Sequence, residues 1–200
     1  SADFDSPAET FDRWRDMLAP VYDVARPSAA ELICFHAQLT AMHLGPALIT
    51  YAVAAAQFCQ RTSTTIARNQ VDHIMAHTCL EGGYQGVTEG RSFEVLPGDV
   101  GIFDLSRTWN ATCKPFRHLS LMLPRAMLEP LLSQPDRAHG TVLSGGTTAG
   151  RLLCEHLQSL WRNLPRMTQD DAQRVLSGSA SLMAGCLGQT SGAHESPVRA

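Results

Sequence analysis

The 200-residue sequence predicts a mainly β protein with helices at both ends: an antiparallel β-barrel or sandwich, preceded by a short helix and followed by a helical hairpin. Three observations predict this fold class. Short apolar and β-branched runs follow one another from residue 31 to residue 124 without a helical pattern between them, which favours antiparallel pairing. An amphipathic stretch precedes this region, and leucines recur at helical spacing after it.

The N-terminal part, residues 1–30, predicts one helix and a lead-in to the barrel. Ser6 is a candidate N-cap, and Phe11, Trp14 and Leu18 share one helical face. An aromatic residue on such a face usually packs against the body of the domain. We therefore expect Trp14 to be a core residue.

The barrel region, residues 31–124, contains short candidate strands separated by Gly, Pro and Asn residues. The candidate strands are Leu32 to Leu44, Ala47 to Phe58, Thr64 to Arg68, His73 to Leu80, Tyr84 to Thr88, Ser92 to Leu96, Val100 to Leu105, Asn110 to Cys113 and Phe116 to Leu123. Strands this closely spaced predict a closed, antiparallel β structure.

The C-terminal part, residues 125–188, predicts a short helix from Ala126 to Leu132 and then a hairpin of two amphipathic helices. Thr168 and Asp171 resemble a capping box at the start of the second helix. The helices either pack on the barrel or pair in part with another copy of the chain. The candidate dimer-interface residues are Leu153, Leu157, Leu160, Trp161, Leu164, Leu176 and Met183.

Composition excludes several classes of protein. The net charge of −3 and the scattered basic residues predict that this chain alone binds DNA poorly. The chain has no apolar run that could span a bilayer and no signal-peptide pattern, so we expect a cytoplasmic protein without a membrane partner. The six cysteines are spread singly, which predicts buried thiols without disulfides.

The run "LEGGYQGVTEGRSFEVLPGDVGIFDLSRTW" resembles the cupin-like β-barrel, with a Gly-Gly turn, a hairpin and a Pro-Gly-Asp turn. Metal-binding cupins carry His-x-His and a carboxylate before the glycines and a further His after the later turn. The matching positions fall near Asn69, Val71, Met75 and Trp109, none of which is a strong metal ligand. We therefore expect no metal and no other cofactor.

Two alternatives for a site remain open from the residues. His36, His43 and His118 lie on other predicted strands and would together supply three metal ligands, although half-buried histidines bonded to neighbours are more common. The glycines of "SGGTTAG" precede a helix and suit an anion, or they simply form a helix N-terminus. The chain has no nucleophile elbow, Walker loop or dinucleotide fingerprint, so we predict no catalytic residues and no enzyme activity.

A set of motifs in a fixed order is similar to the N-terminal effector-binding domain of AraC/XylS-family transcription regulators. The motifs are "FDRWRDML", "FHAQLTAMHLGPALITYAVAA", "RNQVDHIMAHTCLEGG", "LPGDVGIFDLSRTW", "FRHLSLMLPRAMLEPLL" and "LSGGTTAGRLL". This resemblance implies a barrel that binds a small organic effector, helices that form a homodimer, and a separate helix-turn-helix domain that binds DNA. That domain has no counterpart in the chain, and the polar residues 189–200 read as a linker towards it.

The effector pocket should be concave and mainly apolar, with a few polar groups that orient the ligand. Arg68 suits a carboxylate, and Trp109 suits an aromatic ligand, but each has an ordinary structural role as the alternative. The candidate effector-binding residues are His36, Tyr51, Arg68, His73, Met75, His77, Trp109 and His118.

Two other functions compete with the sensor. A metal-dependent cupin enzyme, of the dioxygenase or isomerase type, needs metal ligands at unexpected positions. A purely structural dimerisation module needs a barrel that is filled by its own side chains.

Overall fold

The computed structural model describes residues 6–188. It contains two antiparallel sheets, with helices that precede, interrupt and follow the strands along the chain. The predicted fold class is confirmed. The predicted linker, residues 189–200, lies outside the described residues. The helices are α1 (Pro7–Leu18), α2 (Ala29–Ile33), α3 (Ser63–Asn69), α4 (Arg125–Leu128), α5 (Thr148–Asn163) and α6 (Gln169–Gly188), with 3-10 turns at Glu129–Leu131, Pro135–Arg137 and Leu164–Arg166.

The strands form one sheet of five and one sheet of six. They are β1 (Asp23–Val24), β2 (Ala37–Leu44), β3 (Ala47–Ala54), β4 (Gln57–Arg61), β5 (His73–Glu81), β6 (Tyr84–Thr88), β7 (Arg91–Val95), β8 (Val100–Asp104), β9 (Trp109–Cys113), β10 (Phe116–Pro124) and β11 (Thr141–Leu143). The five-stranded sheet has the order β1-β4-β9-β6-β7, and the six-stranded sheet has the order β11-β8-β5-β10-β3-β2.

The N-terminal helix α1 closes one end of the barrel. Ser6 and Glu9 form a capping box, in which the Glu9 N–H donates to the Ser6 hydroxyl and the Ser6 N–H donates to the Glu9 carboxylate at 2.8 Å. Phe11 and Trp14 are fully or almost fully buried in the cluster that fills the barrel. Trp14 is therefore a core residue, as its position on the helical face predicts.

One predicted strand is wrong, and another is wrong in part. The stretch Thr64 to Arg68 lies within helix α3, because the Thr62 hydroxyl caps the Thr65 N–H at 3.2 Å. The stretch from Leu32 begins in α2, where Ser28 and Glu31 form another capping box, and its strand starts at Ala37. Threonine is typical both of strands and of helix N-caps, which explains the first error.

The other differences concern how strands are divided. The predicted strand from Ala47 to Phe58 is split into β3 and β4, which belong to different sheets. The strands β1 and β11 are two and three residues long, too short for an alternating pattern to reveal.

The Pro-Gly-Asp turn ties β8 to the loop before α5. Gly98 has a φ of +93°, a conformation that favours glycine. The Asp99 carboxylate accepts hydrogen bonds from the N–H groups of Leu96 at 2.9 Å and Gly145 at 2.8 Å. The first glycine of "SGGTTAG" therefore binds a carboxylate of the chain itself, which favours the structural interpretation of that motif.

The predicted helical hairpin is present as α5 and α6, which lie against the outer face of the six-stranded sheet. Thr168 and Asp171 cap α6, with the Asp171 N–H donating to the Thr168 hydroxyl at 3.2 Å. Six of the dimer-interface candidates are buried within the single chain, namely Leu153, Leu157, Leu160, Leu164, Leu176 and Met183. The chain's own sheet and helices cover these side chains, and their role in a dimer stays a prediction.

The cysteines and the helices also bear on the sequence predictions. All six cysteines are free, and five of them are buried; Cys34 is exposed. Within residues 6–188, no helix has the length and apolarity that a bilayer crossing requires.

Candidate functional site

The central strand β5 separates the two buried regions of the molecule. Its side chains at Ile74 and Ala76 point outward to the helices, and those at Met75 and Cys79 point into the barrel. His77 alternates with them and also faces the interior. This inward face forms one wall of a cavity.

The cavity lies between the two sheets and has a volume of about 20 Å³. A space of this size holds about one water molecule. Its lining residues are Tyr22, Gln57, Cys59, Met75, His77, Tyr84, Phe103, Trp109, Ala111, Cys113, Phe116 and His118.

Two histidines and a serine form a chain of hydrogen bonds along the cavity wall. His77 Nδ1 lies 2.9 Å from the Ser120 hydroxyl, and His77 Nε2 lies 2.8 Å from His118 Nδ1. Strands β5 and β10 bring these residues together because Ser120 pairs directly with His77 in the sheet. The last nitrogen of this series of hydrogen bonds, His118 Nε2, is buried and has no partner within residues 6–188.

Two more buried nitrogens of the lining residues have no partner among the described residues: Gln57 Nε2 and Trp109 Nε1. The Gln57 amide is oriented by Trp14, whose Nε1–H donates to Gln57 Oε1 at 2.8 Å. The amide nitrogen therefore lies on the side away from that bond. Buried polar groups without partners are uncommon, and a ligand or an ordered water is a usual explanation.

Aromatic rings cover most of the remaining wall. The Trp109 ring lies 5.4 Å from both the Tyr22 and Phe103 rings, between centroids, and the Phe116 ring stacks on His118 at 4.0 Å. Gly101 makes room for this packing, because a Cβ at that position would lie 2.6 Å from the Tyr84 hydroxyl. The cavity thus combines an aromatic wall with a few open N–H positions.

The cavity carries no formal charge near neutral pH. Its lining, as the described part of the chain forms it, contains no Asp, Glu, Lys or Arg. Burial lowers the pKa of His77 to about 4, and burial together with the nearby His77 holds the pKa of His118 well below its usual range. Burial likewise raises the pKa of Tyr22 and Tyr84 well above the usual value, so both phenols stay neutral.

The structure brings half of the effector-binding candidates together at this cavity. These are Met75, His77, Trp109 and His118, from strands β5, β9 and β10. Strands β5 and β10 are neighbours in the six-stranded sheet, and the packing of the two sheets brings Trp109 of β9 beside them.

The other candidates lie elsewhere. Tyr51 is on the outer face of β3, where its ring stacks on Trp161 of α5 at 5.5 Å. Arg68 lies in α3 and donates to the Asp23 carboxylate at 2.8 Å. His36 is exposed before β2, and His73 starts the inward face of β5 outside the cavity. These four do not contribute to the lining.

Comparison with known proteins identifies the family. The family model that describes an AraC-binding-like domain matches residues 14–188. This chain belongs to that family. A search of curated proteins finds no match.

The solved structure of one regulator shares the fold of this AraC-binding-like domain. The AraC-like transcriptional activator CuxR matches with a TM-score of 0.82 and 24% identity, over 88% of this chain and 65% of that chain. The chain thus spans about two thirds of the length of CuxR. An RmlC-like cupin protein from Desulfovibrio desulfuricans matches 50% of the chain and 89% of its own length, with 16% identity and a TM-score of 0.36.

Sequence reasoning missed several residues of the AraC-binding-like domain's cavity. Gln57 and Cys59 on β4 alternate inward with Arg61, and Ala111 and Cys113 on β9 alternate with Trp109 in the same way. This alternation in the sequence indicates which side chains of a strand point inward. It does not do so for β4, because the predicted strand Ala47 to Phe58 runs through the break after β3.

Two other features of the domain bear on where a metal or a ligand could bind: a set of three histidines and a groove. Among residues 6–188, no group of three His, Cys, Asp or Glu side chains is placed to hold a metal ion, so His36, His43 and His118 do not form one. A groove of about 700 Å³ lies outside the barrel between β7 and β11. Its lining includes Arg91, Glu94 and Arg137 and none of the candidate effector-binding residues.

Proposed function

We propose that this AraC-binding-like domain is the ligand-sensing part of a transcription regulator, which binds a small organic effector inside its barrel and catalyses no reaction. The observation that carries the proposal is a set of three buried nitrogens, on Gln57, Trp109 and His118, that have no partner within residues 6–188 and belong to residues lining one uncharged aromatic cavity. A ligand oxygen or nitrogen would satisfy groups that the chain itself leaves open.

The cavity is small, so binding requires the lining to move. Met75 is the most adaptable lining residue, because its unbranched side chain has several rotatable bonds. Effector binding would then select a more open arrangement of the barrel over the closed one.

The same strands connect the cavity to the helices. Next to His77 in β5, Thr78 points outward, and its hydroxyl lies 3.2 Å from the Cys154 thiol of α5. A displacement of β5 on its inner face would therefore move α5 on its outer face. In a homodimer that carries DNA-binding domains beyond residue 188, such a shift would change how those domains meet their paired half-sites.

The experiment is a thermal-melting screen of the isolated domain against small organic compounds. A saturable rise in melting temperature for one class of compound is expected, since a ligand of the native state stabilises it. The variant Ala111→Leu, which adds bulk to the cavity wall, should abolish the rise, while the exposed neighbour Thr112→Leu should keep it. A ligand that stabilises both variants equally binds elsewhere and contradicts the proposal.

A structural module is the second candidate, and one observation favours it: the barrel is nearly filled by its own side chains, with about 20 Å³ left free. This function predicts that no compound raises the melting temperature and that ordered water occupies the cavity. Sedimentation of the domain tests the homodimer that both candidates share. A monomer at all concentrations would remove dimerisation from either proposal.

A further inference from the structure

We infer that the barrel cavity selects an uncharged aromatic carbonyl compound, an ester, ketone or aldehyde, whose oxygen atoms accept hydrogen bonds from open N–H groups of the lining, which are those of Gln57, Trp109 and His118. This inference rests on the proposed effector binding and specifies the chemistry of the effector.

Two of the open groups are donors by their chemistry. The indole nitrogen of Trp109 only donates. The Gln57 amide oxygen is held by Trp14, so the amide nitrogen, with its two hydrogens, is the end left without a partner. Both groups therefore require an acceptor.

The third group, His118 Nε2, becomes a donor through the hydrogen-bond chain. Ser120 is buried, and its only described side-chain bond is to His77 Nδ1, so its hydroxyl hydrogen is used only if it donates there. His77 then carries its single hydrogen on Nε2 and donates it to His118 Nδ1 at 2.8 Å. A neutral His118 must in turn carry its hydrogen on Nε2.

The cavity therefore offers donors from three lining residues and suits a ligand rich in acceptors. A carbonyl oxygen has two lone pairs and takes two donors, and an ester oxygen is a further acceptor. Water suits this arrangement less well, because its own two hydrogens would need acceptors that the three groups do not supply.

The body of the ligand follows from the rest of the wall. Five aromatic rings line the cavity, those of Tyr22, Tyr84, Phe103, Trp109 and Phe116. Aromatic pairs gain stability beyond what the burial of their area provides. Once the lining has moved apart, a planar aromatic ring is the body that such a wall accommodates best.

Charge is disfavoured for either sign. The lining has no ionised side chain to pair with a carboxylate or an ammonium, and an unpaired buried charge is far more costly than a neutral polar group. The lowered pKa of His77 and the raised pKa of Tyr84 are two signs of the same property, since burial disfavours their charged forms.

The test uses four aromatic probes of similar size: methyl benzoate, benzoate, benzylamine and ethylbenzene. They are, in order, a neutral carbonyl compound, an anion, a cation and a hydrocarbon without an acceptor. Calorimetry should give the highest affinity for methyl benzoate. Benzoate and benzylamine should bind at least about tenfold more weakly because they bury a charge, and ethylbenzene at least about fivefold more weakly because it forgoes the net gain of a hydrogen bond.

A pair of matched variants shows whether the donors act in the cavity. Trp109→Phe keeps an aromatic ring and removes the N–H, so the preference for methyl benzoate over ethylbenzene should fall about fivefold. Trp161→Phe makes the same change outside the barrel, where the ring stacks on Tyr51, and should leave the preference unchanged. If Trp109→Phe does not fold, Gln57→Met provides the same comparison.

The outcomes separate this inference from the function that it rests on. Tighter binding of benzoate or benzylamine, or equal binding of ethylbenzene and methyl benzoate, overturns the ligand class and leaves effector sensing intact. If none of the four probes binds, the ligand class is also overturned. Effector sensing itself fails only if the broader screen finds no stabilising compound.

Discussion

The central strands of the six-stranded sheet are buried on both faces, and the two faces are packed by different kinds of residue. The outer face, covered by α5 and α6, belongs to a cluster dominated by leucine and isoleucine. The inner face belongs to a cluster of aromatic, methionine and cysteine residues beside His77 and His118. One chain thus contains two cores of different composition, separated by a single layer of strands.

The difference concerns which polar groups have partners. In the helical hairpin, the buried Ser179 hydroxyl lies 2.8 Å from His156 Nε2 and also donates to the Val175 carbonyl at 2.8 Å. In the barrel, the corresponding serine–histidine pair, Ser120 and His77, leads on to His118, whose last nitrogen is open. The serine–histidine pair of the outer core thus has its partners, whereas that of the inner core ends at a nitrogen without a partner among the described residues.

The largest expected effect tests the outer core. Leu157 is fully buried in the cluster under α5, so Leu157→Ala should lower the free energy of unfolding by about 2–5 kcal/mol. Leu152 is half exposed on the same helix, and Leu152→Ala should change it by less than about 0.5 kcal/mol. Urea unfolding measures both. Equal small effects would mean that the helices do not pack on the barrel in solution.

The next effect, on pH dependence, tests the inner core. Burial lowers the pKa of His77 to about 4, whereas an unfolded histidine titrates near pH 6.5. The unfolded chain therefore binds more protons below pH 6.5, so stability is full above that pH and falls as the pH drops towards 4. His77 alone should account for a loss of about 2 kcal/mol at pH 5.

The variant that removes this group should reduce the pH dependence. His77→Gln is expected to flatten the unfolding free energy between pH 7 and pH 5, measured by urea titration at each pH. His156→Gln in the outer core removes a histidine whose pKa burial also lowers, but without a second histidine beside it. A greater flattening by His156→Gln would contradict the assignment of the larger effect to the barrel.

The smallest effect sharpens the comparison between the two serine–histidine pairs. Ser120→Ala and Ser179→Ala should each cost about 1 kcal/mol, the net value of a hydrogen bond. Only Ser120→Ala frees the His77–His118 chain to reverse its hydrogens. We expect the ¹⁵N shifts of His118 to change in Ser120→Ala and to stay as in the wild type in Ser179→Ala. Unchanged shifts in both would remove Ser120 as the residue that sets the tautomer.

Most of the secondary structure could be predicted from local patterns, and the exceptions share a cause. The capping boxes of α1 and α6 and the strands β5 to β10 agree with caps and alternation in the sequence. Helix α3 was predicted as a strand because its threonines suit both, and the hydroxyl bond of Thr62 that decides between them is a structural fact.

Half of the candidate effector-binding residues line the cavity, and the other half do not, for a related reason. Strand alternation placed Met75 and His77 on one face, which is the face that lines the cavity. Alternation does not tell which face of β3 points inward. It therefore predicts Tyr51 as an effector-binding residue, although this side chain packs against α5. A strand buried on both sides is apolar on both sides, and its pattern cannot mark the interior.

The sequence by itself determined the order and type of most elements, because helical and strand periodicities and capping residues act over a few neighbouring positions. It also carried the ordered motifs of the family. Only the tertiary structure decided which face of each strand meets the cavity and that the leucine stripe is covered within the chain. It also decided that Gln57, Trp109 and His118 each carry a nitrogen without a partner among residues 6–188. Those outcomes depend on contacts between residues far apart in the chain, where the sheets and helices meet.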